Sequence, residues 1–328
     1  MKVLNVAVWG IGRQAINRII PAILLMEGLV LTGVCSRNQV TINSCIEQFN
    51  CIGWKNPNEM LNYNGIDVIF VASPIGLHAQ HIKLALESGK HVWCEKPLTC
   101  KYSDTVSLVG IAKQKKLMLT EGFMFLYHPQ FERIQSFVRD NQSNGIKSIV
   151  CRFGMPFLDS PGFRDNPKLC GGAFWDVGSY TVAAVLSLFP HQGVEVVFSE
   201  IINKPNSNVD FEGRAVLKFS EGATAYLEWG FGASYKNDID IWANDSSMFI
   251  DKVFSKPVNF QPKFYIRNKT GKMRIVKGEK SEQFQDMFLN YHNSYNSQSK
   301  MNIEYMEILQ RSKIMDKIIQ VSKINQTC

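Results

Sequence analysis

Asp176 and Tyr180 stand four residues apart in an apolar run, a spacing that puts a carboxylate and a phenol on one face of a helix. Lys96 follows the short apolar pattern His91–Cys94 and so belongs near a strand end, where doubly wound sheets gather their ligands. Groups of this kind can move a proton on a carbon-bound oxygen, the step that must accompany hydride transfer to or from that carbon. Taken singly, each also has a plainer reading. Lys96 reads as a solvated loop residue, Tyr180 as core, and Asp176 as a local helix cap.

A second set of residues points to what would bring the hydride. Gly10-Ile11-Gly12-Arg13-Gln14-Ala15 has the pattern G-x-G-x-x-A between a strand pattern and a helix pattern. Gly10 permits a tight turn, Gly12 lets the backbone approach a pyrophosphate, and Ala15 lets the helix pack closely on the strand. The helix N-terminal amides then face the phosphates. The second strand ends in Ser36-Arg37, with no acid between Leu29 and Ser44 to take a ribose 2′-hydroxyl. A hydroxyl beside a guanidinium suits a 2′-phosphate instead, so NADP(H) is the expected cofactor.

The elements that must position these groups alternate between two periods. Leu4–Trp9, Leu29–Cys35, Val68–Ala72, His91–Cys94 and Leu117–Thr120 read as strands. Arg13–Met26, Val40–Phe49, His78–Ser88 and Ser103–Gln114 read as helices. Such alternation builds a doubly wound parallel sheet. After Gly122 the texture changes. Helical patterns at Gln130–Arg139 and Phe174–Phe189 flank and precede strand-like runs at Ile146–Phe153, Val194–Ile202, Phe211–Phe219, Thr224–Phe231 and Ile239–Ala243. Two helices, Glu282–Tyr295 and Asn302–Lys323, close the chain. The expectation is α/β: a Rossmann domain over 1–122, then an α+β domain over 123–328 with a large mixed or antiparallel sheet, for substrate binding and oligomerisation. The last helix is free to pack back on the first domain.

The 328 residues, 45% hydrophobic, suffice for two buried cores. A net charge of +7 is spread without a basic block, which argues against nucleic-acid binding. No apolar stretch approaches the roughly 20 residues of a membrane span. The N-terminus runs straight into a strand pattern without a secretory signal, so the expected location is cytoplasmic. The eight cysteines form no C-x-x-C pair and read as reduced, packed thiols. His78 and His81 lack a second ligand pair, and no metal site is expected.

Two longer strings carry a family resemblance. Ala85-Leu86-Glu87-Ser88-Gly89-Lys90-His91-Val92 leads into Glu95-Lys96-Pro97, and Cys170-Gly171-Gly172-Ala173-Phe174-Trp175-Asp176-Val177-Gly178-Ser179-Tyr180 follows later. With the N-terminal fingerprint, these resemble the Gfo/Idh/MocA oxidoreductases. The likeness extends to Ser73-Pro74 with His78, to Tyr127-His128-Pro129, to Gly145-Ile146 and to the closing helix, and so covers essentially the whole chain. Cys170 stands where the family has its first glycine, and Tyr180 where it has a histidine. Tyrosine there, with Phe163-Arg164, resembles the branches of glucose–fructose oxidoreductase, dihydrodiol dehydrogenase and NDP-sugar 3-ketoreductases.

The resemblance implies that Lys96, Asp176 and Tyr180 meet over the nicotinamide. Tyr180 is then the proton donor in reduction, with Lys96 supplying a nearby cation and holding the substrate oxygen, or Lys96 is the direct acid with Tyr180 assisting. Asp176 would orient the substrate and Lys96. Cofactor contacts are expected from Gly10, Ile11, Gly12, Arg13, Gln14, Ser36, Arg37, Ser73, Pro74, His78, Glu95 and Lys96. Substrate contacts are expected from Tyr127, Phe163, Arg164, Trp175, Asp176 and Tyr180. The substrate is expected to be a sugar or nucleotide sugar, foremost a 3-keto NDP-hexose undergoing reduction. An NADP-dependent aldose or trans-dihydrodiol dehydrogenase is the alternative, and a non-catalytic NADP-binding regulator a third reading. Family members commonly form dimers or tetramers, and a homo-oligomer is expected.

Overall fold

The computed structural model describes residues 2–190, 192–203 and 206–326. By internal contacts the chain divides into two units. One comprises Met1–Gly122 with Phe284–Ser312, the other Phe123–Gln283 with Lys313–Cys328.

The first unit is built on six strands: β1 (Leu4–Trp9), β2 (Leu29–Cys35), β3 (Ile52–Trp54), β4 (Val68–Val71), β5 (His91–Cys94) and β6 (Leu119–Glu121). Their order is β3-β2-β1-β4-β5-β6, and every pairing is parallel. All four residues of β4, Val-Ile-Phe-Val, are buried, as a parallel strand covered on both faces requires. The order reverses between β1 and β4. That is the topological switch point, outside whose carboxyl ends ligands bind in such sheets. The helix His78–Glu87 ends ahead of Gly89, whose φ of +76° supplies the left-handed turn back into β5. Strand β3 escaped the sequence reading because three residues are too few to show a period.

The second unit carries a nine-stranded sheet. Its strands are β7 (Ile146–Met155), β8 (Val194–Asn203), β9 (Asp210–Phe219), β10 (Thr224–Phe231), β11 (Lys236–Ala243), β12 (Ser246–Asp251), β13 (Lys263–Asn268), β14 (Met273–Lys277) and β15 (Lys323–Gln326). The order is β14-β13-β12-β11-β7-β10-β9-β8-β15. β7 with β10 and β8 with β15 are parallel pairs, and the rest are antiparallel, so the sheet is mixed. Buried and open positions alternate along β9 to β11, as in a sheet with one covered face. The covering element is Ser179–Leu188, a helix apolar nearly all round and buried at nine of its ten positions. The apolar helical stretch Pro167–Leu188 has the length of a membrane span, but 83% of its most apolar window is buried within the protein, as in a core helix.

Cys35, Cys45, Cys51, Cys94 and Cys151 are free thiols. Cys100 and Cys170 each carry their sulfur in a disulfide, which corrects the expectation that every cysteine is reduced. Spacing alone gave no sign of it.

Candidate active site

In the first unit the fingerprint turn is shaped by its glycines. Gly10 has φ +105°, and a Cβ there would lie 2.5 Å from the Ser73 amide nitrogen and 2.7 Å from the Ala72 carbonyl carbon. No other residue fits. At Gly12 a Cβ would meet nothing within 4 Å, and Gly12, Arg13 and Gln14 are exposed. The backbone there borders open space, the cradle that a pyrophosphate needs. Ala15 is buried, consistent with a small residue admitting the helix to the sheet. The helix opens with a π-turn over Ala15–Ile19, an irregularity frequent at functional sites, where a regular α-turn was expected. The Ile16 N–H is taken by the Gly12 carbonyl (3.1 Å), so the amides ahead of it are the ones available to an anion.

The remaining cofactor candidates gather beside this turn because the parallel ladder carries them there. Gly10 donates its N–H to the Cys35 carbonyl (2.9 Å), which sets Ser36-Arg37 alongside. Ala72 donates to the Trp9 carbonyl (2.8 Å), and Glu95 to the Val71 carbonyl (2.8 Å). The ends of β1, β2, β4 and β5 thus place Gly10, Ile11, Ser36, Ser73, Pro74, Glu95 and Lys96 on one edge of the sheet. Arg37 is exposed, and among the described residues it makes no ion pair. His78 is fully buried, with Nε2 2.8 Å from the Ser73 carbonyl and Nδ1 3.0 Å from the Pro97 carbonyl. Burial holds its pKa below the ordinary value, despite those carbonyls. The Lys96–Pro97 peptide is cis. Two neighbours are not among the expected cofactor contacts. His81 stacks on Trp9 with centroids 3.9 Å apart, and its Nδ1 lies 3.0 Å from the Ser73 hydroxyl. Stacking partners this far apart in sequence leave no local pattern.

In the second unit the glycine string forms a crowded turn. A Cβ on Gly171 would fall on the Arg164 carbonyl oxygen, and one on Gly172, at φ +111°, would fall on the Asp210 carboxylate. The left-handed residue before them, Cys170, has φ +55°. The turn delivers the chain into Phe174–Gly178, again a π-turn, in which Ser179 donates to the Phe174 carbonyl. Asp210 accepts the Phe174 N–H at 2.7 Å, and burial pushes its pKa up to about 7 against the backbone N–H groups of Phe174 and Ala173. Asp210 lies 38 residues beyond Gly172 and was missed from sequence.

Arg164 and Asp176 meet. Arg164 Nε donates to Asp176 Oδ2 at 2.6 Å, and the guanidinium also lies over the Phe163 ring, 4.9 Å from its centroid. The Asp176 side chain is 9% exposed and that of Arg164 29%, so the pair is partly withdrawn from water with one edge of the cation open. Beside Arg164 a cleft is walled by Phe157, Leu158, Pro161, Val209 and Phe211. Trp175 is half-buried against Phe174. Tyr180 is held by the rings of Phe123, Phe125, Phe153 and Phe254, with centroids 5.2–5.7 Å away, and its hydroxyl points at Met124 Sδ (3.6 Å). Tyr127 ends the same short turn, Met124–Tyr127, and is half-buried. Four of the expected substrate residues, Phe163, Arg164, Asp176 and Trp175, are thus joined directly or through neighbours in the chain.

A six-stranded parallel nucleotide-binding sheet with a glycine cradle, joined in one chain to a mixed-sheet unit bearing a carboxylate, a guanidinium and a phenol, defines an NAD(P)-binding oxidoreductase. Residues 4–123 match the oxidoreductase family with an NAD-binding Rossmann fold, and residues 131–248 match the GFO/IDH/MocA C-terminal domain. The chain belongs to the Gfo/Idh/MocA oxidoreductase family. It is 30% identical over 268 residues to dTDP-3,4-didehydro-2,6-dideoxy-alpha-D-glucose 3-reductase of Saccharopolyspora spinosa, covering 82% of this chain and 80% of that one. The enzyme of the same name from Actinomadura kijaniata is 29% identical, with 80% and 79% covered. The fold matches, over 100% of both chains, the crystal structure of a 3-ketoreductase from Actinomadura kijaniata in complex with NADP and TDP-benzene, with a TM-score of 0.95 at 24% identity.

Proposed function

We propose that this oxidoreductase uses NADPH to reduce the 3-keto group of a nucleotide-linked hexose. The observation that carries the reading is the Arg164–Asp176 pair on the chain segment that also bears Tyr180. It is a polar, fixed group for sugar hydroxyls, and four residues on from Asp176 stands a phenol held in an apolar cage. Similarity to enzymes named as dTDP-sugar 3-reductases supports the substrate class. The exposed Arg37, without an acidic residue nearby on its strand end, supports NADPH over NADH.

Bound NADPH would supply the hydride to the carbonyl carbon. Gly10 and Gly12 would admit its pyrophosphate against the amides of the Ala15–Leu25 helix, and Ser36 and Arg37 would take the 2′-phosphate. In the roles that the family resemblance implies, Tyr180 would give the carbonyl oxygen its phenolic proton as that oxygen gains charge, and Lys96 would be the assisting cation. Asp176, oriented by Arg164, accepts hydrogen bonds from neighbouring sugar hydroxyls and so fixes which carbon faces the hydride. The net change is ketone plus NADPH plus one proton to alcohol plus NADP⁺.

The test is NADPH oxidation followed at 340 nm with a dTDP-3-keto-hexose, prepared in situ, against glucose, xylose and a dihydrodiol run with NADP⁺. Oxidation with the nucleotide sugar and no turnover of free sugars is the expected result. NADP⁺ reduction by xylose or a dihydrodiol, with the nucleotide sugar inert, would overturn it.

A further inference from the structure

Beyond Glu95, whose N–H still donates to the Val71 carbonyl of β4, the chain Lys96-Pro97-Leu98 leaves the sheet. The ladder with β6 ends at Cys94 opposite Glu121, closed by Gly122 N–H to the Cys94 carbonyl at 2.7 Å. Strand pairing therefore cannot hold Lys96, and other groups take over. On one side His78 spans two loops, with Nδ1 3.0 Å from the Pro97 carbonyl and Nε2 2.8 Å from the Ser73 carbonyl. On the other, the Leu98 N–H donates to Glu121 Oε1 at 2.7 Å. The second oxygen of that carboxylate, Oε2, receives Arg311 Nε at 2.7 Å. Arg311 comes from the long helix Gln298–Val321 and also reaches Glu304 (3.2 Å) and Glu307 (3.3 Å). Glu121 is tied once more through its backbone, accepting from the Tyr291 hydroxyl at 2.8 Å.

We infer that Glu121, backed by Arg311, is a positioning residue for Lys96: its carboxylate fixes the Pro97–Leu98 peptide and so sets where the lysine side chain starts. The inference rests on the assignment of Lys96 to the reaction. Glu121 and Arg311 are 4% and 3% exposed, and a buried ion pair is often replaceable by well-packed apolar residues without loss of stability. What apolar residues could not replace is the directional acceptor for Leu98 N–H, two residues from Lys96. A displacement of about 1 Å in a reacting group can cost on the order of a hundredfold in rate, so holding that peptide is a functional constraint.

The experiment compares Glu121→Ala, Glu121→Gln and Arg311→Lys in the full chain. Lysines are reductively methylated with ¹³C-formaldehyde, and the dimethyl-Lys96 signal is assigned by its loss in Lys96→Arg. NADPH affinity is measured by fluorescence. In Glu121→Ala the Lys96 signal should move and broaden, and turnover on the nucleotide sugar should fall at least tenfold, with NADPH affinity within twofold. Glu121→Gln keeps an oxygen for Leu98 N–H and should restore most of both. An unmoved Lys96 signal in folded Glu121→Ala overturns the inference, as does an equal effect of Gln and Ala. Should Glu121→Ala not fold, Arg311→Lys decides, because it keeps the charge but loses the Nε bond. It should shift the Lys96 signal, and an unshifted signal overturns the inference. If the signal moves but Lys96→Ala turns over normally, the catalytic assignment of Lys96 fails and the clamp stands.

Discussion

Arg164 Nε lies 2.6 Å from Asp176 Oδ2, joining residues on either side of the Gly171-Gly172 turn. The pair is the polar centre of the substrate half of the proposed site. Arg164→Ala would take a hydrogen-bonded guanidinium away from a mostly buried carboxylate. Loss of stability on the order of 1–3 kcal/mol is expected, less than for a fully buried pair because one edge of the guanidinium is open. Urea denaturation checks the stability. kcat/KM should fall at least about tenfold, whereas NADPH affinity stays unchanged.

Tyr180→Phe removes the phenolic proton and leaves the ring packed among its four phenylalanine neighbours, so the fold should be unaffected. Turnover should drop at least about a hundredfold, the lower end of general-acid effects. Lys96→Ala should lose a comparable amount. Near-normal turnover in both variants would refute the proposed mechanism.

Arg37→Ala should weaken NADPH binding at least about tenfold, the loss of one charge-assisted contact, and leave NADH binding unchanged. Titration of both cofactors by fluorescence distinguishes the two. Equal effects on both would move the 2′-phosphate elsewhere.

His91 and His128 are held down to about 4 by burial, and in each the Nδ1 accepts a backbone N–H, from Met118 and Gln130 respectively. Their folded pKa lies below the unfolded value of about 6.5, so the unfolded chain binds more protons between those values. The stability they contribute is fully present above about pH 6.5 and is lost as pH falls toward 4. The loss should be on the order of 1–2 kcal/mol for each, with the partial exposure of His91 discounted. His128→Asn, which can still cap the helix Pro129–Gln142, should flatten its share of the slope in denaturation curves taken from pH 7.5 to 4.5.

Glu304 behaves oppositely. Burial pushes its pKa up to about 7, with Arg311 opposing the rise. The folded chain then holds a proton that the unfolded chain releases, so stability declines as pH rises from about 4.5 to 7. Glu304→Gln keeps an oxygen for Arg311 and for the Glu121 N–H. Relative to the parent chain it should gain stability as pH rises from 5 to 8, read from the same denaturation curves. A difference independent of pH would show that Glu304 is ionised throughout.

What the sequence determined by itself is whatever depends on neighbours in the chain. Gly10 to Ala15 reads as a phosphate turn because the strand, the glycines and the helix are contiguous, and Val68–Val71 reads as a parallel strand because burial on both faces leaves an unbroken apolar run. The tertiary structure alone decided the rest. Strands β12 to β14 mix polar and apolar residues near a sheet edge and show no strong period. The π-turns at Ala15–Ile19 and Phe174–Gly178 depend on packing, which overrides a spacing that fits an ordinary helix. Asp210 against Gly172 and Arg311 against Glu121 are set by strand order and by the return of the last helix. A charged group's partner 38 or 190 residues away imposes no periodicity on the residues between, so only the folded chain can name it.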